Sequence, residues 1–375
     1  MSDDKISSIQ NLRIFLAALV VVHHLACTYG GPRIWYYQEN TTNFVLFTLL
    51  TVFIAVNQSF FMGLFFLISA YFTPRSMQAK GFVKYVKDRT IRLGLPLTVF
   101  FFVLSPITAF MGWDSLRNGT VSLKDHLLSL KGVGFGPLWF IEALFLFCIV
   151  YAVVDLVSRT RLGRRTIKMA MPKDNIIIVF AVITGLLSFV VRIWCPVGWV
   201  LQPFSFQLSH FVQYILLFAV GTIAYHNHWL TAISKKRAVR WLLFAQAMIL
   251  VATPIILYLG GGLSGNLRSF YGGLHWQSLA YSLWEQFVGF GFIVGLLGLF
   301  YHRKQHTTQL STHLANSTYT LFVIHAPIIV GLCVSLRAIR LDPFYKFLFV
   351  SPIALILGFS MALLVRKIPV VNKVM

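Results

Sequence analysis

Residues 11–29 read NLRIFLAALVVVHHLACTY. The stretch is apolar enough to cross a bilayer, yet Arg13 stands at one end and His23 and His24 lie well inside it. A charged or titratable group is costly in hydrocarbon and usually faces a bundle interior or a cavity. Arg13 and His24 are eleven positions apart, which is about 16 Å and about three turns of helix. Both side chains therefore face the same interior at different depths, Arg13 at a cytoplasmic mouth and His24 further in.

The rest of the chain reads as a bundle that holds this pair. Of its 375 residues 57% are hydrophobic and only 11% charged, with a mean hydropathy of +0.75. A soluble domain carries about 25% charged residues. Ten runs approach or exceed the length needed to span the hydrocarbon core: 11–29, 44–72, 93–111, 137–157, 175–193, 208–226, 238–260, 279–301, 314–336 and 344–366. They lack the alternation of barrel strands, so the expected fold is all-α: a polytopic membrane bundle of about ten transmembrane helices, in a single domain over 1–375. The second run, 44–72, is about 43 Å long if fully helical, and Asn57, Gln58 and Ser59 interrupt its middle. They mark either a break or a polar contact inside the bundle.

The net charge of +21 does not point to nucleic acid. With the N-terminus inside, 23 of the 32 Lys and Arg residues fall on the cytoplasmic side, as positive-inside bias requires. Both termini are then cytoplasmic. The basic loop 73–92 carries Pro74 and Gly81, which suggest a turn and a helix start or break, followed by a short helix on the membrane surface. Loop 158–174 is equally basic but serves as a topology signal. The external loops 112–136, 194–203 and 261–278 are rich in glycine and aromatics, fitting an interfacial belt first and carbohydrate stacking second. Cys27, Cys148, Cys195 and Cys333 are scattered, and neither the cysteines nor the histidines have metal-ligand spacing; no metal is expected. The first ten residues lack the pattern of a cleaved signal peptide.

His24 is the leading candidate for chemistry, since a neutral imidazole is a natural general base near pH 7. Glu142, in the fourth run, falls at a matching depth and would orient His24 or stabilise its charged form; a plain structural contact is the alternative. His23 points about 100° away and packs. Arg89 and Arg92 share a helical face and with Arg13 would form a cluster able to grip phosphates through forked contacts; membrane anchoring, or for Arg89 a local pair with Asp88, would account for them too. His325 lies mid-span near Pro327 and either lines the cavity or satisfies the backbone that the proline disturbs. Glu285 reads as a bundle hydrogen bond. Arg192, near the outer end of the fifth run, is a candidate contact for an anion.

These elements together resemble the membrane acyltransferase-3 family. Arg13 and His24 with ten residues between them match its first-span signature. FFMGLFFLISAYFTPRS at 60–76, DRTIRLGLP at 88–96 with Arg89 and Arg92, PLWFIEALF at 137–145 with Trp139 and Glu142, and YTLFVIHAP at 319–327 with His325 follow in the family's order. The nearest subgroup resembles proteins that succinylate periplasmic glucans. The resemblance implies a multi-pass protein of the bacterial inner membrane, surrounded by lipid. It would move an acyl group from cytosolic acyl-CoA, either acetyl-CoA or succinyl-CoA, to a hydroxyl of a carbohydrate across the membrane. Trp139 and His325 would contact the substrate. No hydrolase-like domain is attached, so this would be the short form, and a separate protein partner for glycan delivery stays open, as does oligomeric state. Direct transfer and an acyl-histidine intermediate are both open. The competing reading is an exporter or flippase of a glycan or lipid-linked sugar without acyl chemistry.

Overall fold

The computed structural model describes residues 3–32, 35–113, 122–162, 168–303 and 308–375. Arg164 and Arg165 of the basic loop and residues 114–121 of the long external loop lie outside that set. Ten helices are long and apolar enough to cross a membrane. In chain order they are α1 (Asp3–Thr28), α2 (Phe44–Lys80), α3 (Phe82–Trp113), α4 (Trp139–Leu162), α5 (Asp174–Trp194), α6 (Phe211–Asn227), α7 (Lys235–Leu259), α8 (Trp276–His302), α9 (Gln309–Ser335) and α10 (Pro343–Val365). The chain is a multi-pass integral membrane protein, and each expected span falls on one of these helices.

Two boundaries differ from expectation. The second helix does not break at Asn57–Ser59; α2 is continuous for 37 residues and those three polar side chains are buried. It also runs through Pro74, where a turn was expected, and ends at Lys80 because Gly81 takes φ +73°, a conformation open to glycine but strained for other residues. The short helix expected before the third span is present as Phe82–Arg89 and continues through the Thr90–Gly94 turn into the rest of α3.

Prolines explain the irregular turns. Three stretches widen to π-helix, Thr90–Gly94, Phe100–Leu104 and Met248–Ala252. Each ends two residues before a proline: Pro96, Pro106 and Pro254. A proline offers no N–H to the carbonyl four residues back, so the ladder slips. The first of these π-turns holds Arg92.

Helix α1 is central. Leu12, Leu16 and Val20 belong to the large core shared by α2, α4, α6 and α8, while Ala17, Val21 and Leu25 join a second core with α9 and α10. Small residues allow close crossings on the α2 side. A Cβ at Gly221 of α6 would collide with the Leu67 carbonyl, and one at Gly289 of α8 with the Ser59 carbonyl. Without a hydrophobic drive between helices in lipid, such close backbone contact is what holds them. Helix α7 packs chiefly on α8 and leaves most of its surface to the membrane.

Candidate functional site

Two groups of side chains occupy opposite ends of α1. At its beginning, Arg13 is solvent-accessible although its neighbours Leu12 and Leu16 are buried. It lies close enough to Arg92 of α3 for the two charges to repel. Tyr319 of α9 lies in the field of Arg92 and Arg89, and its hydroxyl donates to the Arg92 carbonyl at 2.7 Å. That carbonyl is the one Pro96 leaves without its usual helical donor. Arg89 rests over the Tyr85 ring, 5.1 Å from its centroid, and Tyr85 is fully buried. Asp88, considered as a partner for Arg89, pairs with Lys80. Among the described residues no carboxylate forms an ion pair with Arg13, Arg89 or Arg92. Arg92 thus has Arg13 near it and shares Tyr319 with Arg89, and with no paired carboxylate among the described residues the group suits a multiply charged anion.

Near the end of α1, His24 meets two other rings, which also lie 6.4 Å from each other. Trp35, from the connection to α2, stacks on it at 4.1 Å and 18°. His325 of α9 stacks at 5.1 Å and 24°. His23 is buried edge-on to His24 and packs on Phe61, as its position on the helix suggested. His325 faces His24, and its Nδ1–H donates to the Phe322 carbonyl at 2.7 Å, one residue before the Val323 carbonyl that Pro327 leaves without its helical donor. That bond assigns the proton to Nδ1 in the neutral ring and leaves Nε2 as an acceptor. His325 Nε2, Trp35 Nε1 and Glu142 Oε2 are buried with no hydrogen-bond partner among the described residues. Each such atom calls for a partner that the protein itself does not supply, as do others elsewhere in the bundle such as Ser188 Oγ and Thr320 Oγ1.

The structure does not join Glu142 to His24 by a hydrogen bond. Helix α4 packs on α2 and α3, and its link to the histidines runs through Phe140, which meets Phe322, which meets His325. Trp139 turns another way, parallel to Tyr214 of α6 at 5.6 Å. Arg192 is not available as an acyl-group contact. It is fully buried, bound to Glu285 at 2.5 Å, to Ser282 at 2.9 Å and to the Ser209 carbonyl at 3.3 Å. Glu285 makes the bundle contacts expected of it, its other oxygen reaching His210 at 2.9 Å. A chain of amides continues from Gln286 through Gln213 to the Ser59 carbonyl, so the polar break in α2 is a contact inside the bundle. A cavity of about 100 Å³ between α2, α7 and α8 is lined by Phe47, Thr51, Leu257, Tyr281 and Trp284 and lies away from both groups.

Sequence reasoning passed over Trp35, Tyr319 and Tyr85. The cluster WYY at 35–37 was the one local signal for the first; the tyrosines join the arginines only through helix packing. Among the described residues no three His, Cys, Asp or Glu side chains gather as metal ligands.

A family model described as an acyltransferase domain matches residues 6–364. The chain belongs to this acyltransferase family. No curated protein and no solved structure matches it. Family and fold together make the protein a membrane-embedded enzyme of acyltransferase type.

Proposed function

We propose that this acyltransferase takes an acetyl or succinyl group from cytosolic acyl-CoA and passes it to a hydroxyl of a glycan on the other side of the membrane. The observation that carries the reading is the grouping of Arg13 and Arg89 about Arg92, with no carboxylate paired to any of the three among the described residues, at the beginning of the helix that bears His24. Coenzyme A is a multiply phosphorylated ligand, and forked guanidinium groups recognise phosphate oxygens. The distribution of Lys and Arg puts this end of α1, and both termini, in the cytosol. The pantetheine arm would run inward along α1 and present the thioester near His24.

There His24 takes the proton of a sugar hydroxyl, whose oxygen attacks the thioester carbonyl; the thiolate of coenzyme A leaves and is reprotonated. His325 Nε2 accepts a hydrogen bond from the acceptor. Glu142 acts at one remove, through water or a substrate hydroxyl, since no direct bond reaches His24. Trp139 lies on the far side of Phe140 and Tyr214 and supports the acceptor path. No metal takes part in this scheme. The finer placement among glucan-modifying proteins, as a single acyltransferase unit, rests on the sequence motifs.

The test is a titration of purified protein in detergent with acetyl-CoA and succinyl-CoA, comparing wild type with R89A/R92A and H24A. Saturable binding that is lost in the double arginine variant and kept in H24A, together with thioester consumption lost in H24A, is the expected result. A folded wild-type protein that binds neither thioester would overturn the reading and favour glycan export.

A further inference from the structure

Trp35 is carried by a connection rather than a helix, yet it makes the closest ring contact to His24. Something must hold it there. Tyr36 is wedged between two glycines: a Cβ at Gly112 would strike its carbonyl oxygen and one at Gly136 its hydroxyl. That hydroxyl lies 3.3 Å from Ser105 Oγ. The Glu39 N–H donates to the Thr28 carbonyl at 2.7 Å, tying the segment to the end of α1. Tyr37 donates to Glu39 Oε1 at 3.0 Å, and Thr41 to Asp342 Oδ2 at 3.1 Å.

The strongest tie is an ion pair. Lys346 of α10 is buried and donates to Glu39 Oε2 at 2.5 Å, across 307 positions of sequence. Burying an ammonium and a carboxylate is expensive and is weak evidence for stability as such. A loop that only joined two helices would not call for it. A loop that must hold one side chain in register would, because buried ionic pairs serve register and specificity where they serve anything.

The rings supply the rest. Trp35 stacks on the His24 imidazole within 18° of parallel, and His325 lies beside both rings, 5.1 Å from His24 and 6.4 Å from Trp35. His325 is itself fixed by the Phe322 carbonyl. A ring stacked against an indole that is itself held in place keeps its plane.

We propose that Trp35 is a positioning residue for His24 and that the Glu39–Lys346 pair is its anchor. The inference rests on the reading of His24 as the reacting group, and it names a structural arm of that site contributed by residues 35–43 and α10.

The test separates the two claims by using a probe that needs no turnover. Full-length protein in detergent is treated with diethyl pyrocarbonate across a range of pH, and carbethoxylation of His24 is followed by peptide fragmentation in the mass spectrometer. Thioester consumption and acyl-CoA affinity are measured alongside. The variants are W35A, W35L, W35F and the neutral double replacement E39Q/K346M, which avoids a lone buried charge. In W35A, or in W35L if the alanine variant fails to fold, His24 should label about tenfold faster, the gain expected from losing one aromatic stack, and its pH midpoint should shift. Turnover should fall while acyl-CoA affinity holds. W35F should restore both properties, and E39Q/K346M should reproduce the loss in part. Wild-type labelling rate and pH midpoint in W35L and W35A, or a phenylalanine variant no better than leucine, would overturn the inference. Labelling as expected in a wild-type protein that consumes neither thioester would uphold the positioning and remove the enzymatic reading.

Discussion

The histidine stack and the Arg192–Glu285–His210 cluster are both polar groups inside the same bundle, and they are built in opposite ways. In the cluster, each oxygen of Glu285 has a cationic or hydrogen-bonding partner, Arg192 is fully buried, and Gln286, Gln213 and Ser59 extend the bonding from α8 through α6 to α2. In the stack, Trp35 Nε1 and His325 Nε2 are buried and have no partner among the described residues, and nearby Glu142 Oε2 is the same. A satisfied buried network rigidifies and specifies a packing; an unsatisfied one costs free energy that only a ligand returns. The proposed chemistry lies with the second region and the architecture with the first, although the cluster holds more formal charge.

That contrast can be broken by experiment. The largest effect should come from H24A, which ought to lower thioester consumption by about 10²–10⁴ through loss of a general base, while elution and melting in detergent stay near wild type. Normal turnover in folded H24A would place the chemistry elsewhere. Next, E285Q should lower stability by about 3–5 kcal/mol, because Arg192 is left buried without its counter-charge. A melting midpoint equal to wild type would show the cluster to be dispensable, and the apolar double replacement R192M/E285L should regain part of the loss. Third, R89A/R92A should weaken acyl-CoA binding about tenfold for each arginine removed, the range of a charge-assisted hydrogen bond. The loss should shrink at high salt, as screening already weakens the wild-type interaction. The smallest effect belongs to Y319F, which removes the hydroxyl donating to the Arg92 carbonyl; about 1 kcal/mol, read as a few-fold rise in the acyl-CoA dissociation constant, is expected.

The two arginine neighbours Tyr319 and Tyr85 also show why some of the site was not legible in one dimension. Arg89 and Arg92 stand out because charges beside apolar runs are few. A tyrosine, one of 14 in the chain, carries no such mark, and its placement against an arginine depends on which face of α9 or α3 turns inward. Trp35 is a sharper case. Its neighbours gave it an aromatic context, but its position over His24 is set by Glu39 and Lys346, residues 307 positions apart. The depth match between His24 and Glu142, read from helical rise, says nothing about lateral distance. In the bundle Phe140 and Phe322 stand between α4 and His325.

By itself the sequence determined the ten spans and the bias of basic residues to one side, because water and hydrocarbon impose length and polarity one helix at a time. It also determined that Arg13 and His24 share a face of α1, since the spacing is a property of a single helix. Only the tertiary structure decided that Arg192 is locked in an ion pair, that Asp88 binds Lys80 and leaves Arg89 to a tyrosine ring, and that His24 gathers with Trp35 and His325. Those are choices among partners on different helices, and they follow from how helix faces are rotated and spaced against each other, which no local pattern encodes.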